Sequence, residues 1–285
     1  MSPLNRRSFM SLLFGSAVGV GLGSQLWAQE AVLDRGFAVA VKPYTTGVEV
    51  ARQLAIWEME VQFKPMRLVI ASVPNQKEPQ QVWYLAYRAI PRPIIKNTVG
   101  TDTDPVNTLD PPPGPPLFIP QLTLVTYDNR ETEIPVEIHV DRVLPAAVKK
   151  LNVTERPADA SRVFMDAVSI VRPVPEAVAA DAAEQPWIYG VATWSGVDDK
   201  TDFFKVILQG FSNVYEVRGE GDEQRTWRKV LVQKFTCRGD EFDPNQQEFE
   251  FDGKPFWEYQ PDKLSKAEIA VQRAEKPEAA PVEQP

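Results

Sequence analysis

The apolar residues of this chain fall into short runs separated by proline, glycine and other turn-forming residues, which excludes a fold built on long helices. About ten runs have the length and the β-branched or aromatic content of strands. The clearest, residues 55–64, alternates apolar and polar side chains and predicts a half-buried antiparallel strand. Its apolar residues are Trp57, Met59, Val61 and Phe63, and its polar residues are Glu58, Glu60, Gln62 and Lys64. The sequence therefore predicts an all-β protein, an antiparallel sandwich of immunoglobulin-like or similar type.

The order of the strand-like runs leaves the number of sandwiches open. Asp128 and Asn129 separate two runs with turn chemistry and predict a hairpin. Residues 142–151 predict one short helix. An N-terminal β region (29–155) and a C-terminal one (156–260) are compatible with two sandwiches or with one large sandwich. The further strand-like runs are 66–73, 82–90, 118–127, 134–140, 163–171, 187–194, 203–211, 214–218, 227–237 and 248–251.

Two segments lack the pattern of a packed element. Residues 91–120 contain nine prolines, which lack the backbone donor that a sheet or helix interior needs, and they predict a stiff, exposed loop. Such a loop is either a docking segment for a partner or an insertion between strands, and the insertion is the more common case. Residues 261–285 contain too few apolar side chains to offset the entropy of ordering and predict a disordered tail.

The N-terminus carries an export signal. Residues Asn5–Met10 resemble a twin-arginine translocation motif, and an apolar stretch from Leu12 to Leu22 follows. That stretch is too short to span a membrane, and cleavage near Ala28 would remove residues 1–28. We therefore expect export to the periplasm or cell envelope, by the twin-arginine or the general route, and no integral membrane span after the signal is removed.

Composition excludes several classes of function. The chain has 39 acidic and 31 basic residues, and its net charge of -8 argues against a nucleic-acid partner. A single cysteine, Cys237, excludes an internal disulfide, and a single histidine, His139, excludes a multi-histidine metal site. The sequence contains no glycine-rich phosphate loop, nucleophile elbow or dinucleotide fingerprint.

One acidic cluster is a candidate metal site. Asp198, Asp199 and Asp202 lie on a predicted loop between two strands and offer the oxygen ligands that Ca²⁺ prefers. Their spacing differs from that of a calcium-binding loop, so an ordinary turn capped by aspartate is the favoured interpretation. Calcium is the one cofactor that the sequence suggests.

Aromatic residues in the second half supply a candidate ligand surface. A row of exposed rings could stack on sugar rings, although aromatic residues more often build the core between two sheets. The residues in question are Trp194, Phe203, Tyr215 and Trp227.

A further set of segments carries a resemblance to known proteins. They are Trp57–Glu60, Phe63–Pro65, Trp83–Arg88, Trp187–Trp194, Asp198, Asp202–Phe204, Gln209–Asn213 and Arg238–Asp240. These segments resemble an exported β-rich family of planctomycete-type bacteria. The resemblance extends over most of residues 50–258, and the segment 105–116 looks like an insertion relative to it. It implies export and a β-rich fold, and it supplies neither an activity nor any catalytic residue.

These observations favour a non-enzymatic, exported sandwich protein of the cell envelope that binds a protein or a polysaccharide. One alternative is a two-carboxylate hydrolase acting on envelope polysaccharide. Another is a structural module stabilised by Ca²⁺. An exposed aromatic row would favour polysaccharide as the partner, whereas a flat apolar sheet edge beside the segment 105–116 would favour a protein.

Overall fold

The computed structural model describes residues 36–53, 55–94, 116–155, 162–198, 200–221, 224–237 and 248–261. All of them belong to one compact unit, which spans Arg35–Pro285. Thirteen strands and two helices lie in this described part, and none of its helices is long and apolar enough to cross a membrane. The strands are β1 (Val39–Val41), β2 (Met59–Phe63), β3 (Arg67–Ala71), β4 (Gln80–Pro91), β5 (Leu117–Phe118), β6 (Gln121–Tyr127), β7 (Glu137–Val140), β8 (Arg172–Pro173), β9 (Ile188–Ser195), β10 (Phe203–Gln209), β11 (Tyr215–Arg218), β12 (Arg225–Thr236) and β13 (Glu250–Pro261), and the helices are α1 (Gly47–Arg52) and α2 (Pro145–Thr154).

Eleven of the strands form two antiparallel sheets and β5 and β8 form a third, two-stranded one, which confirms the predicted all-β class. In the first sheet, β4 pairs with β2 and β3 along one edge and with β9 along the other, and β1 extends the sheet beyond β2. The second sheet has the order β13-β12-β10-β6-β7, and β11 pairs with β12 on the same edge as β10. Both sheets contain strands from both sides of residues 150–160. The two predicted β regions therefore form one sandwich.

The central strand of the first sheet, β4, is buried on both faces. Along β4, Trp83 and Leu85 face the second sheet and belong to the main core, together with Phe204 of β10. The intervening Tyr84 faces the other way and packs beneath α2, whose Leu151 is buried against it. This explains why residues 82–90 form a nearly continuous apolar run. The helix begins at Pro145, three residues later than predicted, since proline is favoured in the first helical turn, where its missing N–H costs nothing.

Several boundaries differ from the predictions. Residues 163–171 do not form a strand, because the Asp166 side chain accepts hydrogen bonds from the amides of Val168 and Ser169 and closes a turn. The last strand extends to Pro261, ten residues beyond its predicted end. Within 91–120, Leu117–Phe118 form a short strand with β8. The predicted signal peptide (residues 1–28), residues 95–115 and the predicted disordered tail after Pro261 lie outside the described residues.

The polar side of β2 is also not the solvent face that its alternation suggests. The exposed fractions of Glu58 and Lys64 are 0% and 3%, and Glu60 is 8% exposed. Strand β12 and the end of α2 supply partners for the buried charges of Glu58 and Lys64.

Candidate functional site

The edge of the second sheet exposes apolar side chains. Strand β7 pairs only with β6 among the described residues. Ile138 and Val140 are 55% and 66% exposed, and Ile134 and Val136, in the segment just before the strand, are 58% and 53% exposed. These four residues are called the β7 apolar row. A sheet edge of this kind ordinarily buries its apolar residues, so the orientation is reversed.

A local irregularity explains the reversal. The predicted hairpin of β6 and β7 is present, and the Asn129 side chain accepts hydrogen bonds from two amides of its turn. At the start of β7, Val136 donates its N–H to the carbonyl of Thr126, and Glu137 donates to the hydroxyl of the same threonine. Two consecutive residues thus bind one residue of β6, as in a β-bulge. A shift of one residue moves every side chain of a strand to the opposite face.

The outer edge of β7 also presents main-chain groups. Asp141 donates its N–H to the carbonyl of Leu122, 3.0 Å away, which fixes the hydrogen-bonding phase of the pair. Because hydrogen-bonded residues alternate along an antiparallel ladder, His139 faces β6 and the peptide groups of Ile138 and Val140 point away from it. Those two residues have no backbone partner on that side among the described residues.

Asp141, the residue that follows β7, links the two sheets by hydrogen bonds. Oδ1 of Asp141 accepts a hydrogen bond from the amide of Thr193 in β9 at 3.1 Å, and Arg142 donates its N–H to the Thr193 carbonyl. Oδ2 of Asp141 is buried and has no hydrogen-bond partner in the described part of the chain. Burial raises the pKa of Asp141 to about 7, against the opposing effect of the Thr193 hydrogen bond, and the nearby charge of Asp166 adds to the rise.

Two buried ionic clusters lie elsewhere in the sandwich. In the first, Glu155 receives hydrogen bonds from Lys64 (2.9 Å), Arg67 (2.7 Å) and the hydroxyl of Tyr84 (2.8 Å). Burial opposes ionisation of Glu155, but the Lys64 hydrogen bond and the Arg67 charge outweigh it, so the pKa of Glu155 falls below its ordinary value. This cluster fastens the end of α2 to the corner between β2 and β3.

The second cluster holds two carboxylates around one amine. Lys229 of β12 lies 3.2 Å from both Glu49 and Glu58, and the Tyr44 amide donates to Glu58 at 2.8 Å. Burial raises the pKa of Glu58, and the charge of Lys229 offsets this only in part. Glu58 has no exposed surface, so this pair of acids cannot reach a substrate. The cluster binds the segment before α1 to both sheets.

The neighbouring groove also lacks an acid. It has a volume of about 470 Å³ and lies beside Lys229, and no carboxylate is found among its described lining residues, which include Trp57, Gln121, Gln209 and Arg228. A second groove of about 590 Å³ contains Glu60, but Arg92 holds that carboxylate at 2.6 Å. Neither groove offers the pair of accessible acids that a glycoside hydrolase requires.

The candidate calcium ligands have only local roles where they are described. Oδ1 of Asp198 accepts a hydrogen bond from the amide of Lys200 at 2.9 Å, as in a turn, and Asp202 is exposed. Asp199 lies outside the described residues. No group of three metal-binding side chains occurs in the part of the chain that the structure describes. A calcium site at this loop stays a prediction.

The candidate aromatic residues do not form a surface row. Trp194 is completely buried in the main core, so its assignment to a ligand surface is wrong. Tyr215 is paired with Arg228, the neighbour of Trp227, so Tyr215 and Trp227 lie on opposite faces of the second sheet. Phe203 is paired with Thr236, eight residues from Arg228 along β12, which separates it from Tyr215 by roughly 26 Å at the rise of a strand.

Comparisons of the chain with known protein families, with curated proteins and with solved structures gave no match. The resemblance to an exported bacterial family therefore stays a prediction from the sequence. The β7 edge is the feature that sequence reasoning missed. The alternation of residues 134–140 was visible, whereas the bulge that turns it outward has no recognisable signal in the sequence.

Proposed function

We propose that this protein is exported to the cell envelope and there binds another protein through the edge of its second sheet. The observation that carries the proposal is the β7 apolar row, whose four side chains are each more than half exposed, on and just before a strand whose outer edge has no paired strand among the described residues. Sheet edges in monomeric proteins are usually protected, and contiguous exposed apolar surface is typical of protein interaction sites.

The same surface favours a protein over a polysaccharide. Binding to sugar rings relies on exposed aromatic rings that lie in one plane, and the candidate rings are divided between the core and both faces of a sheet. The β7 apolar row is aliphatic, and aliphatic side chains gain most from contact with other apolar side chains.

Export is inferred from Arg6 and Arg7 and from the apolar stretch that follows them. A protein in that compartment meets envelope proteins rather than nucleic acids, in agreement with its acidic composition.

A matched pair of variants tests the proposal. Ile138→Asp puts a charge into the β7 apolar row, and Val153→Asp puts the same charge on α2, at a residue that is 73% exposed. The mature protein (residues 29–285) would first retain a partner from envelope extract of the producing cells. The partner would then be identified by mass spectrometry and purified for titration by calorimetry.

We expect Val153→Asp to bind like the wild type, and Ile138→Asp to bind at least about tenfold more weakly, because a buried charge costs more than 1.4 kcal/mol. Thermal unfolding of both variants would check that the fold is intact. Equal affinity of the wild type and Ile138→Asp for the purified partner, or the lack of any retained protein, would contradict the proposal.

A further inference from the structure

We infer that the partner binds by strand addition: an extended segment of the partner pairs antiparallel with the outer edge of β7 and continues the second sheet. This inference rests on the proposed function and specifies how the same edge recognises its ligand. The segment carries apolar residues opposite Ile138 and Val140 and a basic residue opposite Glu137.

The main chain of β7 is ready for such pairing. The N–H and C=O groups of Ile138 and Val140 point away from β6, and one partner residue opposite each can form a full pair of hydrogen bonds. Sheet edges are usually protected by short length, by charged residues, by proline or by a bulge. Strand β7 is short, with the sequence Glu-Ile-His-Val, but it contains no lysine or proline, and both Pro135 and the bulge at Val136 precede it.

The side chains of β7 define the pattern of the partner segment. Ile138 and Val140 lie on the face of the second sheet that points away from the first, on the same side as Val125. Residues opposite them would bury apolar surface on both strands. On the other face, the Glu137 side chain is 42% exposed and accepts a hydrogen bond from His139. A basic residue opposite Glu137 complements its charge, and a polar residue suits His139.

A second copy of this chain fits the edge less well. The antiparallel register that uses both outward residues pairs Ile138 with Val140 of the copy. That register places Glu137 of each chain opposite Asp141 of the other, and Asp141, whose carboxylate accepts a hydrogen bond from the Thr193 amide, offers Glu137 no positive charge. A stable dimer interface buries about 1,200 Å² or more, and two four-residue strands with an apolar patch of roughly a few hundred Å² fall short of that area.

A short peptide can probe this directly. Acetyl-Thr-Lys-Val-Thr-Val-Lys-Thr-amide has valines at the positions opposite Ile138 and Val140 and lysines at both flanks. The matched control replaces both lysines by glutamate. Amide hydrogen exchange of the ¹⁵N-labelled mature protein would be measured by NMR with and without each peptide, up to millimolar concentration.

We expect the lysine peptide to slow exchange at Ile138 and Val140 by about tenfold or more, since each gains a net hydrogen bond. The amides of His139 and Asp141 already face β6 and should keep their rates. The glutamate peptide should bind about tenfold more weakly, because it places like charges opposite each other. Unchanged exchange at Ile138 and Val140, equal binding of both peptides, or protection of these amides in a self-associated protein without peptide would overturn the inference.

Two variants separate the main chain from the side chains. Val140→Pro removes an outward N–H that β6 does not use, and Val140→Ala keeps that N–H while shortening the side chain. Strand addition predicts that the proline variant binds the peptide more weakly than the alanine variant does. If the natural partner depends on the Ile138 side chain but leaves both amides unprotected, strand addition is wrong and the proposed function stands. If the peptide protects both amides but envelope extract yields no partner, strand addition at β7 is possible and the proposed function is wrong.

Discussion

Replacing Glu155 by glutamine should cost far more stability than the same change at Glu58. Both carboxylates have no exposed surface and both contact a buried lysine. They differ in the direction of their pKa shifts, since the pKa of Glu155 is lowered and that of Glu58 is raised. The fold therefore favours the charged form of Glu155 and the neutral form of Glu58.

The magnitude follows from the partners that each substitution leaves behind. Lys64 and Arg67 are each 3% exposed, and Lys64 has no other carboxylate within ion-pair distance among the described residues. Removal of one member of a buried ion pair costs about 3–5 kcal/mol, a large part of the 5–15 kcal/mol that typically holds a domain together. After Glu58→Gln, Lys229 keeps Glu49 at 3.2 Å, so the cost should be about 1 kcal/mol.

The pH dependence provides an internal check. A carboxylate with a lowered pKa stabilises the fold above the ordinary value of 4.5 and loses that contribution as the pH falls through its folded value. The difference in free energy of unfolding between the wild type and Glu155→Gln should therefore be largest near pH 7 and should shrink below pH 4.5.

Urea unfolding followed by tryptophan fluorescence would measure these differences, because Trp83 and Trp194 are buried and report on the core. The expected order at pH 7 is wild type, then Glu58→Gln, then Glu155→Gln. A loss below about 1 kcal/mol for Glu155→Gln, or equal losses for both variants, would refute the argument that Glu155 compensates a buried lysine with no other carboxylate nearby among the described residues.

Two other substitutions test particular contacts. Burial raises the pKa of Asp141 to about 7, so the neutral form of Asp141 stabilises the fold near pH 4 and this contribution is lost as the pH rises towards about 7. Asp141→Asn should therefore be as stable as the wild type near pH 4 and more stable than the wild type by about 2–4 kcal/mol at pH 8. An unchanged difference between pH 4 and pH 8 in urea titrations would contradict this. Gly210 has φ +87° and a Cβ there would lie 2.2 Å from the Ile119 carbonyl, so Gly210→Ala should lower the melting temperature more than Gly196→Ala, whose Cβ would meet no atom within 4 Å. Equal melting temperatures of the two alanine variants would show that this contact relaxes freely.

Strand periodicity determined the class of fold and most of the strands. Residues 82–90 and 203–209 became central strands because aromatic and β-branched content is a property of the local chain. The Asn129 turn was predictable for the same reason, since its hydrogen bonds reach only neighbouring residues. The strand predicted at 163–171 is absent because the Asp166 side chain accepts hydrogen bonds from the amides of Val168 and Ser169, which a strand ladder would otherwise use.

Only the tertiary structure decided which side of each strand is buried. The alternation of residues 55–64 predicts that Glu58 and Lys64 face the solvent. Both are buried, because Lys229 lies 171 residues after Glu58 and Glu155 lies 91 residues after Lys64, and each supplies the opposite charge. The alternation of residues 134–140 suggests that Ile138 and Val140 face the core. The bulge at Val136, opposite Thr126, places them at the surface instead. A sequence of alternating residues fixes the two faces of a strand, but the choice between them depends on partners that are distant along the chain and close in space.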